Sequence, residues 1–183
     1  MIVMVTNSSS MLTGYLAGKY EGRIGWLLSP GGWRNPHSWL SYAMDNGAFP
    51  VWTRGEKWSD APFYEHLQRC VGHTNKPRWI AVPDSVGNRD ETLRMWFAHS
   101  PRVASFGCPL AFVVQDGMTP DDVPPNAAVV FVGGTDEWKM RFADVHGCLP
   151  ARSRRAHQWR EGALGVPGSG RGILRRHWMD ALR

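Results

Sequence analysis

Short apolar runs recur along this chain, and four of them stop abruptly on a polar or glycine cluster: YAMDNGAF at Asp45, WIAVPDSVG at Asp84, LAFVVQDG at Gln115 and VVFVGGTDEWK at Gly133 and Gly134. Buried strands of a parallel sheet read as continuous hydrophobics, whereas ligand-handling groups lie where each strand gives way to a loop. The pattern therefore favours an α/β sheet or barrel and predicts that the four clusters converge at the carboxyl ends of the strands.

Eight runs qualify as candidate strands: residues 2–5, 25–28, 42–44, 79–82, 110–114, 129–132, 142–145 and 163–166. Helical stretches lie between them: MLTGYLAGKY; SDAPFYEHLQRCVG with Ser59 or Asp60 as cap; NRDETLRMWFAHS with Asn88 as cap and Glu91 three residues on; and RSRRAHQWREG. Strand and helix alternating in this way build βαβ units. Eight such strands predict a reduced or irregular (β/α)8 TIM-like barrel, with an open doubly wound α/β sheet as the alternative. The chain of 183 residues is short for a barrel, so some crossovers must be abbreviated. PDDVPPNAA, between the fifth and sixth runs, has room for one helical turn.

Length and cysteine usage fit a single domain over 1–183 that folds without disulfide or metal. Cys70, Cys108 and Cys148 are odd in number and lack ligand spacing, which reads as idle thiols in a reducing compartment. MIVMVTNSSS has no basic segment before its brief apolar run, so neither a signal peptide nor a membrane span is expected. A cytoplasmic protein, in a bacterium or a phage-infected host, is the expectation. The formal net charge of +5 is unevenly placed: residues 1–146 carry 13 Lys and Arg against 14 Asp and Glu, whereas 147–183 carry 8 Arg against Glu161 and Asp180. That arginine-rich C-terminal part could neutralise phosphates, or form a solvated helix face or end.

The polar clusters carry the chemistry. Asp45 follows a buried run and precedes Asn46-Gly47, a turn that exposes a carboxylate able to act as general base or nucleophile, or simply to cap the turn. Asp84 follows Pro83 and precedes a helix start, so it is either a site acid or a cap. Gln115 must satisfy a mixed donor and acceptor at a strand end, a match for the edge of a purine-like ring. Gly133 and Gly134 leave backbone groups open to close approach. Trp138 and Lys139 could cover a base and contact phosphate, or open an amphipathic helix. His146, ending ADVHG, suits a proton shuttle or a neutral histidine bonded at the core rim.

In this order the pieces resemble the tRNA-guanine transglycosylase superfamily, whose barrel enzymes exchange guanine for a 7-deazaguanine base. DNGAF stands against that family's DSGGF-type motif, PDSVGNRDETLRMW against its Asp followed by a Ser/Arg/Trp-bearing helix, FVVQDG against IVQGG, and FVGGTDEW against GGLAVGE. The likeness covers roughly residues 40–140 and is closest to small phage-type deazaguanine DNA transglycosylase-like proteins. It implies that Asp45 lies beside the glycosidic carbon, with Phe49 stacking on the exchanged base and Asn46 and Gly47 in the same substrate-binding turn. It further implies that Asp84 and Gln115 read the base edge while the backbone at Gly133 and Gly134 touches it.

The implied partners are DNA or tRNA and a free 7-deazaguanine base, with no cofactor and no metal. The family's zinc-binding cysteines and histidine have no counterpart, and between Asp144 and Asp180 the only acid is Glu161. Asp45 would then be the single nucleophile, with His146 among the groups helping proton transfer, or the chain would be a catalytically silent nucleobase-binding or nucleic-acid-binding relative. A metal-dependent hydrolase using Asp45, Asp84 and His146 is the remaining reading; the closely spaced histidines usual at such sites are missing.

Overall fold

A computed structural model of the chain describes residues 2–6, 11–32 and 35–139, all within a compact unit spanning Met1–Phe142. Six parallel strands form one curled sheet, a half-barrel, in the order in which they occur along the chain: β1 (Val3–Thr6), β2 (Ile24–Leu28), β3 (Ser41–Met44), β4 (Ile80–Ala81), β5 (Leu110–Val114) and β6 (Val129–Val132). Among these strands the order never reverses, whereas a doubly wound sheet reverses at its switch point. The chain is thus of the α/β class. The candidate strands at 142–145 and 163–166, the arginine-rich part 147–183 and His146 lie outside the described residues.

The connections are unequal. Helix α1 (Met11–Lys19) links β1 to β2, α2 (Ala48–Thr53) and α3 (Asp60–Val71) link β3 to β4, and α4 (Arg89–Ala104) links β4 to β5. A single 3-10 turn at Pro120–Asp122 occupies the β5 to β6 connection, as its length requires. Asn88 caps α4 as expected, its Oδ1 accepting the Glu91 N–H at 3.1 Å. Ser59 occupies the corresponding place before α3 without a side-chain cap bond.

The main core lies on the helix-facing side of the strands. Leu28, Tyr42, Met44, Ile80, Val82, Phe112 and Val114 join Phe63, Leu67 and Cys70 of α3 and Trp96 and Val103 of α4 in the main core. The Tyr42 hydroxyl donates to the Cys70 and Asn75 carbonyls at 3.1 and 2.9 Å, tying β3 to the C-terminal end of α3 and the loop after it. Intervening strand positions Ala43, Ala81 and Ala111 are small and fully buried. At the middle of the sheet the face away from the helices is thus lined by alanines, whereas toward β6 it carries larger groups, Val113 and the Phe131 ring, the latter 5.5 Å from that of Trp79. Among the described residues no helix is long and apolar enough to cross a membrane.

Candidate active site at the strand exits

β3, β5 and β6 run directly into predicted clusters and β4 reaches Asp84 after Val82 and Pro83; three of the four clusters are joined by side-chain hydrogen bonds. β3 ends at Met44, and the Asp45 N–H continues the ladder by donating to the Leu28 carbonyl at 2.7 Å. The Asp45 carboxyl accepts from the Ser29 hydroxyl and from the Asn46 and Gly47 N–H groups, the last at 3.4 Å. It is half-buried, and burial raises its pKa against the lowering effect of those donors. Gly47 has φ +76°, and a side chain there would meet the ring of Pro30 at 3.1 Å, so the turn that leads into α2 requires glycine.

Asp84, just past β4, is the centre of the arrangement. Its Oδ1 accepts from Asn46 Nδ2 at 2.6 Å, and its Oδ2 accepts from Gln115 Nε2. Asn46 also donates to the Val82 carbonyl at 3.0 Å and accepts the Ala48 N–H at 2.8 Å. Gln115 Oε1 accepts the Gly87 N–H at 2.9 Å, which fixes the sense of its amide. Asn46, Asp84 and Gln115 are only 2%, 5% and 1% exposed. Burial pushes the Asp84 carboxyl up to about 7, the nearby Asp45 charge adds to the rise, and the Asn46 and Gln115 amides oppose it. Burial favours the neutral form of this acid, its two amide donors favour the carboxylate, and a second carboxyl lies nearby.

At the β6 exit the two glycines answer to packing. A Cβ on Gly133 would stand 2.7 Å from Gln115 Nε2 and 2.7 Å from Val113 Cγ1. Gly134 has φ +79°, and a Cβ there would run into Asp116 Oδ1 and lie 3.0 Å from the Trp138 ring. The glycine pair thus lets the β6 exit close against the Gln115 amide.

Trp138 is partly buried and packs against the main core. Phe49, on α2, is 54% exposed, with its ring 5.9 Å from that of Trp52 and the Lys139 ammonium 5.9 Å from its centroid. The β3 and β6 exits therefore meet across the rim. Of the described candidates, Asp45, Asn46, Asp84, Gln115 and Gly133 form one contiguous constellation, and solvent reaches it at Asp45 and Phe49. His146 lies outside the described residues.

Four residues absent from the sequence-based set belong here. Ser29 hydrogen-bonds Asp45, Trp58 donates its indole N–H to the Asn46 carbonyl at 3.1 Å, and Asp116 binds Thr135. Only Asp116, adjacent to Gln115 at a strand end, carried a positional signal; the partners of the others are set by the fold. No family model, curated protein or solved structure matches the chain.

Proposed function

We propose that the chain is a base-exchange transglycosylase that replaces guanine by a 7-deazaguanine derivative in a polynucleotide, DNA before tRNA, from a reduced (β/α)8 barrel. The observation that carries this reading is the pairing of an accessible, hydrogen-bonded Asp45 with an enclosed Asp84 whose carboxyl is clasped by two amides at neighbouring strand exits. Asp45 is the nucleophile: its carboxylate adds to C1′ as the guanine leaves, and the incoming base displaces it from the resulting ester. Asp84 gives the departing base its proton and recovers one from the incoming base, a task suited to a pKa near 7. The base lies over Asp45 and Phe49, and Asp84 and Gln115 act from beneath. A target inside a stack is extruded at a cost of a few kcal/mol.

The test is incorporation of labelled 7-deazaguanine base into guanine-containing single-stranded and duplex DNA, and into tRNA, by the wild-type protein and Asp45→Asn. Incorporation by the wild type that vanishes in the variant is expected. Nucleic-acid binding without incorporation by either protein overturns the reading in favour of a silent binding module. The metal-dependent hydrolase reading needs His146, which lies outside the described residues, and loss of activity on treatment with a chelator would favour it.

A further inference from the structure

Asp116 follows Gln115 directly, and both of its carboxylate oxygens are occupied by one residue of the next strand exit. Oδ1 accepts the Thr135 N–H at 2.7 Å and Oδ2 accepts the Thr135 hydroxyl at 2.7 Å. The same hydroxyl accepts the Trp138 N–H at 3.3 Å, so the clamp also starts the turn that carries Trp138 and Lys139. One residue back from Thr135, Gly134 lies against Asp116; two back, Gly133 lies against the Gln115 amide, its N–H donating to the Val114 carbonyl at 2.9 Å. The β5 exit and the β6 exit are thus moulded together over three consecutive residues each.

The geometry points to a positioning role: we infer that Asp116, through Thr135 and the glycine pair, sets where the Gln115 side chain stands against Asp84. Gln115 is held on three sides. Asp84 takes its N–H, the Gly87 N–H takes up its carbonyl oxygen, and Gly133 forms the remaining wall. The first two contacts alone leave the amide free to slide toward β6. The wall stops it, and the wall is kept in place by a charge-assisted two-point contact, stronger and more directional than a neutral bond. Gly133 has two anchors, its own N–H on the Val114 carbonyl and, through Gly134, the Thr135 clamp; release of Thr135 removes the second, so the wall loosens, the Gln115 amide shifts with it, and its contact with Asp84 weakens without any change at Asp45.

The inference rests on the transglycosylase reading for its kinetic readout only; its spectroscopic readout stands alone. In nitrogen-15-labelled protein the Gln115 side-chain amide signal, assigned by its loss in Gln115→Glu, is expected to move in Asp116→Ala and in Thr135→Val. Thr135→Ser, which keeps the hydroxyl, is expected to leave it at the wild-type position. In the base-exchange assay Asp116→Ala is expected to move the Asp84-dependent limb of the kcat pH profile to higher pH, because the Gln115 amide is one of the groups that hold that carboxyl's pKa down. Gly133→Ala is the second variant: it presses on the amide directly with the Asp116 to Thr135 contact intact, and the same signal is expected to move. A Gln115 signal that moves in Gly133→Ala but stays put in Asp116→Ala and Thr135→Val overturns the inference, whatever happens to the melting temperature. Should the wild type incorporate no base, the function proposed above fails while the amide signal still decides the role of Asp116.

Discussion

The helix-facing side of the sheet and the rim at its strand exits are both buried, but they are built from opposite materials. On the helix side, Phe112 meets Trp96 edge-on with centroids 5.2 Å apart, amid Leu28, Met44, Ile80, Val82 and Val114. At the rim, Asn46, Asp84 and Gln115 are as enclosed as those apolar residues yet are held by hydrogen bonds whose donors and acceptors must match one for one. Apolar contacts are non-directional and roughly additive in area, so the first region responds to a substitution in proportion to what is removed. A buried polar network gains little net stability when complete and loses much when one partner goes. The first region makes the fold stable, and the second fixes one geometry within it.

The largest effect expected from this contrast is on the apolar side. Phe112→Ala removes a fully buried ring and leaves its edge-on partner Trp96 facing a cavity. Such truncations cost about 3–5 kcal/mol. For a chain of this size that is a fall on the order of 10 °C in melting temperature. Thermal and urea unfolding check it, and an unchanged urea slope shows that the folded state has lost stability without changing compactness. A loss near 1 kcal/mol would mean that the core closes over the gap and that the two regions differ less than their composition implies.

Asp84→Asn sharpens the polar side. An amide in place of the carboxyl offers one acceptor, so either Asn46 or Gln115 is left with its donor facing another donor, at a cost of about 1–3 kcal/mol. The pH dependence is the more telling readout. The folded-state value near 7 lies above the ordinary carboxyl value of about 3.9, so folding favours the neutral acid. Its contribution is fully present below about pH 4 and is lost as pH rises through about 7, by up to about 1.4 kcal/mol per unit between those limits. The disadvantage of the variant should therefore be greatest at the acid end and shrink toward neutrality. A difference between wild type and variant that stays constant from pH 4.5 to 8 would show the carboxylate ionised throughout and would remove its proton-transfer role.

The two regions were unequally legible. Apolar runs marked the six strands to within a residue or two at either end; in β3, β4 and β5 burial on both faces accounts for the continuous hydrophobic signature, while β1 and β6 keep it with partly exposed residues. Asn88 and the turn at Pro120–Asp122 were readable from cap chemistry and loop length. Helix α2 was not: AFPVWT has no helical periodicity, and its Pro50 lies in the first turn, where a missing N–H costs nothing.

That the exits come together is legible in the strand pattern, but which of their polar groups pair with one another is not. Asn46 and Gln115 lie 38 and 31 residues from Asp84, and nothing in a linear pattern says that their amides turn toward it instead of toward a ligand. The glycine pair likewise looked like an opening for a ligand, whereas its closest neighbours are Gln115 and Asp116. Apolar pattern is local; the pairing of polar groups is decided only after the strands are side by side.

Trp58→Phe probes the seam between the regions with the smallest expected effect. The Trp58 ring lies 6.2 Å from that of Phe63 and 5.7 Å from that of His99, the latter edge-on, while its indole N–H is the donor to the Asn46 carbonyl. Phenylalanine keeps much of the apolar contact and drops the hydrogen bond, for a loss of about 0.5–1.5 kcal/mol. Because Asn46 is also held by Val82, Ala48 and Asp84, its side chain should stay in place and the pH window assigned to Asp84 should not move. A shift of that window in Trp58→Phe would mean that the polar rim takes its geometry from the aromatic packing beneath it, and the division into a stabilising region and a specifying one would have to be given up.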